Sequence, residues 1–457
     1  MPHSQPAIGI DFGTTNSSVA LAHPSGQVDL VSFPTATAAT QSFRSVLYLE
    51  QHKQNARTST KSFTGPSAIQ HYLEADPKGR LIQSLKSYLP SRTLTGTEVF
   101  GRRYTVEDLI SRILTDLRLQ AEAHLGHPIR HVTVGRPVRF VGSESPKEDA
   151  FAVTRLHTAL THAGFTHITF ELEPIAAAYA YESTLTHDEL ILIGDFGGGT
   201  SDFSLIRVGP NSRSTERILG NAGLGLAGDA FDARIVRHLV SPALGSESFE
   251  RSFAQAADRP ANLIPAAPAW IYRNLERWHY LSFLKTRNVA EILKAARARA
   301  EQPEQIAALI TLIEEDLGYQ LHQAVQRLKI DLSHHESAQF KFPALHVAGS
   351  MEIESTVTRT DFESWITDEL QSIETCVDSL LQSTGVPASA IDRVFLTGGT
   401  SFVPAVRRIF QSRFTPARVR SGNEFTSVAQ GLALSARESA QNQGTPPQLR
   451  VPHPEPA

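Results

Sequence analysis

A seven-residue pattern occurs twice in this chain, first as Asp11-Phe12-Gly13-Thr14-Thr15-Asn16-Ser17 and again as Asp195-Phe196-Gly197-Gly198-Gly199-Thr200-Ser201. No other feature narrows the possible folds as much. Each copy follows a short apolar run that ends in the acid (residues 7–10 and 190–193) and precedes a second strand-like run (residues 18–22 and 203–208). That is strand, glycine-rich turn, strand, twice over. The economical arrangement is two similar lobes, each opening with the same hairpin, facing each other across a cleft. A chain of 457 residues is long enough to give each lobe a sizeable core.

Around the hairpins, strands and helices alternate. Residues 104–125 have helical periodicity, 131–134 read as a strand and 146–163 as a helix, which predicts α/β lobes. Residues 231–332 carry almost no strand signal, and 284–332 place apolar residues at three- and four-residue intervals, as expected for a helical elaboration of the second lobe. The expected division is lobe I at 1–187, with 37–104 as its outer subdomain, and lobe II at 188–419, with 229–344 as its helical outer subdomain. Residues 420–440 return to lobe I, and the polar, proline-rich 441–457 form a disordered tail.

Charged residues make up 20% of the chain and its formal net charge is -4, a balance that points to a soluble protein whose principal partner is neither nucleic acid nor membrane. The N-terminus lacks a basic stretch followed by an apolar one and no segment is apolar enough to span a bilayer, so the cytoplasm is the expected compartment. The single cysteine, Cys376, excludes an internal disulfide and a cysteine-based metal site. It lies in a helical-looking run, 362–381, and reads as a small apolar residue. His334-His335 reads as an exposed helix end. P-loop, H-E-x-x-H and G-x-S-x-G patterns are absent.

Turns of small residues let backbone N–H groups converge on a phosphate. Gly13, Thr14 and Thr15 make one such turn, and Gly197, Gly198, Gly199 and Thr200 the other, so facing turns can grip a polyphosphate. A carboxylate beside a phosphate repels it, and Asp11 and Asp195 therefore make sense with a Mg2+ between, held through waters the ion retains. A third glycine pair stands in Leu396-Thr397-Gly398-Gly399-Thr400-Ser401-Phe402-Val403-Pro404, where a strand runs into Gly-Gly and then a helix, leaving room for a flat ligand such as a nucleoside. The G-x-G-x-x-G spacing from Gly223 to Gly228 is a poor dinucleotide site, because the segment follows the second phosphate hairpin.

Together these residues resemble the seventy-kilodalton heat-shock chaperones, of the superfamily that also holds actin and hexokinase. Ile8-Gly9-Ile10-Asp11-Phe12-Gly13-Thr14-Thr15-Asn16-Ser17 is similar to that family's opening, and Glu173-Pro174-Ile175-Ala176-Ala177-Ala178-Tyr179-Ala180-Tyr181 to its first connecting helix. Residues 195–202 resemble its second phosphate turn and 396–404 its adenosine segment, so the resemblance covers most of 7–435. It implies a two-lobed actin-like ATPase fold of duplicated ribonuclease H-like lobes, here with an enlarged helical subdomain. It also implies ATP or ADP with Mg2+, with K+ as a further candidate, and attack of water on the γ-phosphate.

By the same resemblance Asp11 and Asp195 are the acids around the metal, Thr14 and Thr200 the γ-phosphate hydroxyls, and Glu173 the acid of the connecting helix. Lys86, in Ser84-Leu85-Lys86-Ser87-Tyr88-Leu89, is the candidate catalytic lysine, and Gly228 lies close to the phosphates. Residues 325–333 look like the nucleoside helix, where Lys329 and Ser333 fit the family and Gln326 replaces an acid. Phe402 stands where the family usually has arginine and is expected to stack on the adenine. Pro137 resembles the proline that relays the nucleotide state. The residues after Gly399 are too few for the family's peptide-binding domain, so the expected output is to a separate protein at the helical region, where Trp270 and Trp278 would suit an interface. The functions left open are an ATP-hydrolysing chaperone-like switch, a small-molecule kinase on the same fold, and a non-hydrolysing nucleotide-dependent scaffold.

Overall fold

In the strand Ala7–Phe12 the large residues Ile8, Ile10 and Phe12 alternate with Ala7, Gly9 and Asp11, so the two faces differ in depth. In the computed structural model the large face meets the helices Val106–Leu125 and Pro146–His162 in one core with Val19 and Leu21. The small face, with Ala20 and Ala22 of the strand Asn16–Ala22, receives Ala429 and Ala433 of the helix Ser427–Gln441. The fit is close, since a Cβ on Gly9 would lie 2.4 Å from the Ala433 nitrogen. The structure describes residues 6–35, 39–54, 57–75, 79–143, 145–182, 184–212, 217–250, 264–277, 281–345, 351–421 and 427–441.

Two sheets carry the repeated hairpins and share one topology. In the first, Val28–Leu30, Asn16–Ala22 and Ala7–Phe12 run antiparallel to their neighbours, and His131–Arg136 and then His167–Leu172 continue parallel to Ala7–Phe12. In the second, Ile218–Leu224, Ser201–Val208 and Glu189–Phe196 form the antiparallel part, and Arg393–Thr397 and Val419–Ser421 the parallel part. The order of chain visits is the same in both, so the repeat seen in seven residues extends to five strands.

The helices that follow the fifth strand of each sheet are exchanged. Glu173–Glu182 leaves the first sheet and packs Ala178 against Ile191, Ile193, Ile206 and Val208 of the second. Ser427–Gln441 leaves the second sheet and packs on the first. Where they cross, Gly431 presses on the Ala176 carbonyl, and a Cβ there would lie 1.7 Å from that oxygen.

Beyond the sheets, a three-stranded sheet of Val46–Gln54, Arg57–Thr64 and Arg80–Gln83 with the helix Gly65–Glu74 meets the region after the second hairpin. There Tyr72 donates its hydroxyl to the Asp316 carbonyl at 2.7 Å and packs edge-on to Tyr319. The described part of residues 231–332 is helical, with Arg287–Arg299, Pro303–Glu314 and Gly318–His334 its longest pieces. Their described part pairs in β fashion only through the bridges Phe249–Pro265 and Glu250–Ala300.

Three local expectations change. The helix expected from 104 begins at Val106, because Tyr104 belongs to the strand Arg102–Thr105 and Thr105 closes a capping box with Asp108. The run 362–381 is two helices, Arg359–Trp365 and Thr367–Thr384, broken at the buried Ile366. Cys376 is half-buried in the second, and burial, with the charge of Asp202, pushes its thiol up to about 11, which suits an inert residue. Trp270 is 39% exposed. Trp278 and residues 442–457 of the expected tail lie outside the described residues. No described helix is long and apolar enough to cross a membrane.

Alanine normally favours a helix over glycine by about 1 kcal/mol, yet Gly431→Ala is expected to lower the calorimetric melting midpoint by several degrees, because the crossing leaves its Cβ no room. A midpoint equal to or above that of the unaltered chain would show that the helices can move apart freely.

Candidate functional site

Pairing of Phe12 with Ser17 leaves Gly13, Thr14 and Thr15 as the core of the first turn, in which a Cβ on Gly13 would meet the Asn16 carbonyl at 2.1 Å. Pairing of Phe196 with Ser201 leaves Gly197 to Thr200 as the second, closed by the Gly197 N–H donating to the Thr200 carbonyl at 2.8 Å. The turns face each other across a cavity of about 520 Å3. They come nearest at Thr15 and Gly198, where a Cβ would sit 2.2 Å from the Thr15 hydroxyl oxygen. Only glycine permits that approach.

Asp11 and Asp195 stand one residue before the end of the first strand of each hairpin, beside the turns, and Glu173 begins the exchanged helix below them. Lys86 reaches this group from a short helical turn, Leu85–Tyr88, that follows the left-handed Ser84. Its ammonium donates to Glu173 Oε1 at 2.7 Å, and the side chain is only 7% exposed as a residue. Burial disfavours that charge, but Glu173, Asp11 and Asp195 outweigh it and hold the lysine protonated beyond its usual range. The acids go the other way. Burial and then Glu173 raise the Asp11 carboxyl, and burial raises Asp195 although the Thr397 hydroxyl donates to it.

The other end of the cavity has two walls. The helix Gly318–His334 presents Gln326, Lys329, Ile330, Ser333 and His334, one stripe at three- and four-residue steps. Lys329 lies 2.5 Å from Asp232 Oδ1 and donates to the Gly228 carbonyl at 3.2 Å. Opposite are Gly398, Gly399, Thr400 and Phe402. Gly398 has φ of 83°, and a Cβ on it would lie 1.9 Å from the Phe196 carbonyl, so the sheet requires glycine there. The Phe402 ring is 38% exposed, with the Arg407 guanidinium 5.5 Å from its centre.

All the candidate site residues named from the sequence line this cavity except Gly199, which stands in the second turn outside the lining; Pro137 lines it too. Reading the sequence missed Asp202, Asp229, Asp232, Arg44, Arg139, Ile330 and His334, all of which line it as well. Ile330 and His334 follow from the helical phase of Gln326. Asp202 sits directly across the ladder from Asp195, but the matching position in the first hairpin, across from Asp11, is Ser18, so comparing the two copies hid it.

The family description "Hsp70 protein" matches residues 7–257 and 310–442. The chain belongs to the Hsp70 family. Among relatives, the chaperone protein DnaK of Thermotoga petrophila is 24% identical over 441 residues, 96% of this chain. The chain spans 60% of that relative's length. Hsp70 membership carries with it the actin-like ATPase fold and the use of ATP or ADP with Mg2+ as properties of the family. The part that the match passes over, 258–309, falls within the helical region that bears Trp270.

Asp202 is pushed up from 3.8 to about 8, chiefly by burial and then by Asp195 and Glu173. A carboxyl with a folded value above its unfolded one favours the native state at low pH, and that contribution disappears as the pH rises through the folded value. Asp202→Asn is therefore expected to raise the melting midpoint of the nucleotide-free, metal-free chain by a few degrees at about pH 9 and by much less at about pH 5. Equal midpoints at the higher pH would mean that the carboxylate is solvated when charged.

Proposed function

We propose that this chain is an Hsp70-type nucleotide-binding module that holds Mg-ATP across the cleft and hydrolyses it slowly. The observation that carries the reading is the convergence on one cavity of two glycine turns, their acids and the Lys86–Glu173 ion pair. The backbone N–H groups of Gly13, Thr14, Thr15, Gly198, Gly199 and Thr200 would bind the phosphate oxygens, with Gly197 closing the second turn through its own N–H and the Thr14 and Thr200 hydroxyls toward the γ-phosphate.

The acids fit a cation. Asp11, Asp195 and Asp202 are carboxyls that burial and mutual repulsion drive toward protonation, and a divalent ion would relieve that cost by replacing the protons. Mg2+ dehydrates reluctantly, so the ion would keep waters between itself and Asp11 and Asp195. Mg2+ bound there would neutralise charge on the phosphates. K+ is a candidate for the same acids.

Lys86, kept charged by its three acidic neighbours, is the group to orient water at the γ-phosphate, and Glu173 holds it in place. Phosphoryl transfer asks for positioning and charge more than covalent chemistry, so this pair suffices. The nucleoside belongs at the far end. Lys329, Gln326 and Ser333 line one side, Gly398, Gly399 and Thr400 the other, and Phe402 with Ile330 supplies apolar faces for the base where it leaves the cleft.

The reading includes duplicated ribonuclease H-like lobes, supported by the shared five-strand order, with lobe I at 1–187, lobe II at 188–419 and a return at 420–440. It includes a cytoplasmic setting, where a lone Cys376 needs no oxidative pairing. It also includes a protein partner that reads lobe closure at the helical region, where the exposed Trp270 is available.

Two substitutions test the assignment. Lys86→Ala should keep Mg-ATP affinity within a few-fold and lose most single-turnover hydrolysis; undiminished turnover would remove Lys86 from the reaction and leave a nucleotide-dependent scaffold. Stacking of a base on an aromatic ring is worth about 1 to 3 kcal/mol. Phe402→Ala should accordingly weaken ATP by about tenfold and inorganic triphosphate hardly at all. Equal losses for the two ligands would make Phe402 a wall rather than a base contact.

A further inference from the structure

Arg44 is a cavity-lining cation that no motif announces. Its two-residue strand, Phe43–Arg44, pairs with Asn16–Ala22 and places Arg44 opposite Asn16, one residue beyond the first glycine turn. The next residue is tied to the same turn. The Ser45 N–H donates to the Thr15 carbonyl at 2.9 Å, and the Ser45 and Ser17 hydroxyls hydrogen-bond at 2.8 Å in a buried position. The base of Arg44 thus moves with the turn.

Its side chain is half-buried and lines the cavity together with Asp229 and Asp232, both of which feel its charge. Burial raises both carboxyls, with Asp232 adding to the effect on Asp229, while Lys329 and then Arg44 counteract it. The other cations that line the cavity are paired or exposed, and Arg277, which does not line it, adds a weaker pull on Asp229. Lys329 pairs with Asp232 and Lys86 with Glu173, and Arg139 is exposed on the loop after Pro137. Among the described residues Arg44 forms no ion pair, although it faces two acids across the cleft. Asp229 is fixed by its N–H, which donates to the Gly198 carbonyl at 2.8 Å, and Arg44 stands opposite Asn16, so the two residues border the place where Gly198 meets Thr15.

We propose that Arg44 is a phosphate-binding residue, whose guanidinium leaves the acidic wall of Asp229 and Asp232 for the polyphosphate gripped by the turns. A guanidinium presents paired donors that match phosphate oxygens, and a polyphosphate offers it more negative charge than the two distant carboxyls. The first lobe then supplies a side-chain cation as well as backbone donors, and the second lobe loses its attraction for Arg44 when nucleotide is bound.

This inference rests on the nucleotide reading above, and calorimetric titration of the full chain separates the two. Wild type, Arg44→Gln and Arg44→Lys are each titrated with MgATP, MgADP and adenosine. Arg44→Gln is expected to weaken MgATP by about tenfold or more, with adenosine changed by less than about twofold and Arg44→Lys recovering part of the loss. A larger loss for MgATP than for MgADP places Arg44 at the terminal phosphate, and equal losses place it at the inner ones. MgATP binding by Arg44→Gln equal to wild type overturns the proposal, as does an adenosine loss as large as that for MgATP, because Arg44 would then only shape the cleft. A wild-type chain that binds neither nucleotide overturns the functional reading, and this proposal with it.

Discussion

The crossing of Glu173–Glu182 with Ser427–Gln441 sets the spacing on which the rest of the structure depends. Gly431 lies against the Ala176 carbonyl, so the helices approach as closely as backbone allows. Each belongs by sequence to one sheet and by packing to the other. The cavity stands directly above the crossing: Glu173 is the first residue of one helix, Val428 near the start of the other lines the floor, and Gly135 leaves the Glu173 side chain room that a Cβ would narrow to 3.0 Å. A larger residue at the crossing would spread the floor and with it the distance between the glycine turns.

Above that floor the chain accepts an electrostatic cost. Asp11, Asp195 and Asp202 are gathered where burial and their mutual repulsion oppose ionisation, and Lys86 is the nearest compensating charge. A fold selected for stability alone would place amides or apolar groups there. Acids in such a setting gain from a cation that arrives with a ligand, so the unfavourable arrangement of the empty cleft and its affinity for a charged ligand have the same cause. The other cavity end is built differently, with glycines on one side and a helix stripe on the other, and its outermost members Ile330 and Phe402 are among the exposed large apolar residues.

What could be read from the sequence was what the chain encodes locally. The hairpins, their turns and strand-end acids lie within a few residues of each other, and the Lys86 and Glu173 segments each resemble a known pattern on their own. Arg44 could not be read, since its meaning comes from pairing with Asn16 and from facing Asp229, which lies far along the chain. Asp202 was concealed by the repeat itself, because the first copy carries Ser18 at the matching register. The exchange of helices was equally hidden. The stripe of Ala7, Gly9, Ala20 and Ala22 announces a close neighbour without saying which. In each sheet the first parallel pairing joins strands separated by more than a hundred residues, a relation that periodicity does not contain.

The exchanged helices also bear on how the chain reaches this structure as it is made. The first sheet's small-residue face is covered by residues 427–441, while its strands lie within the first 172. At ribosomal speeds of about 5 to 20 residues per second, that face waits on the order of tens of seconds for its cover. The first half therefore cannot finish as an independent unit, and its completion is coupled to the last described helix. Vectorial synthesis leaves an apolar face uncovered through most of elongation, which makes the nascent chain a candidate for chaperone protection of its own.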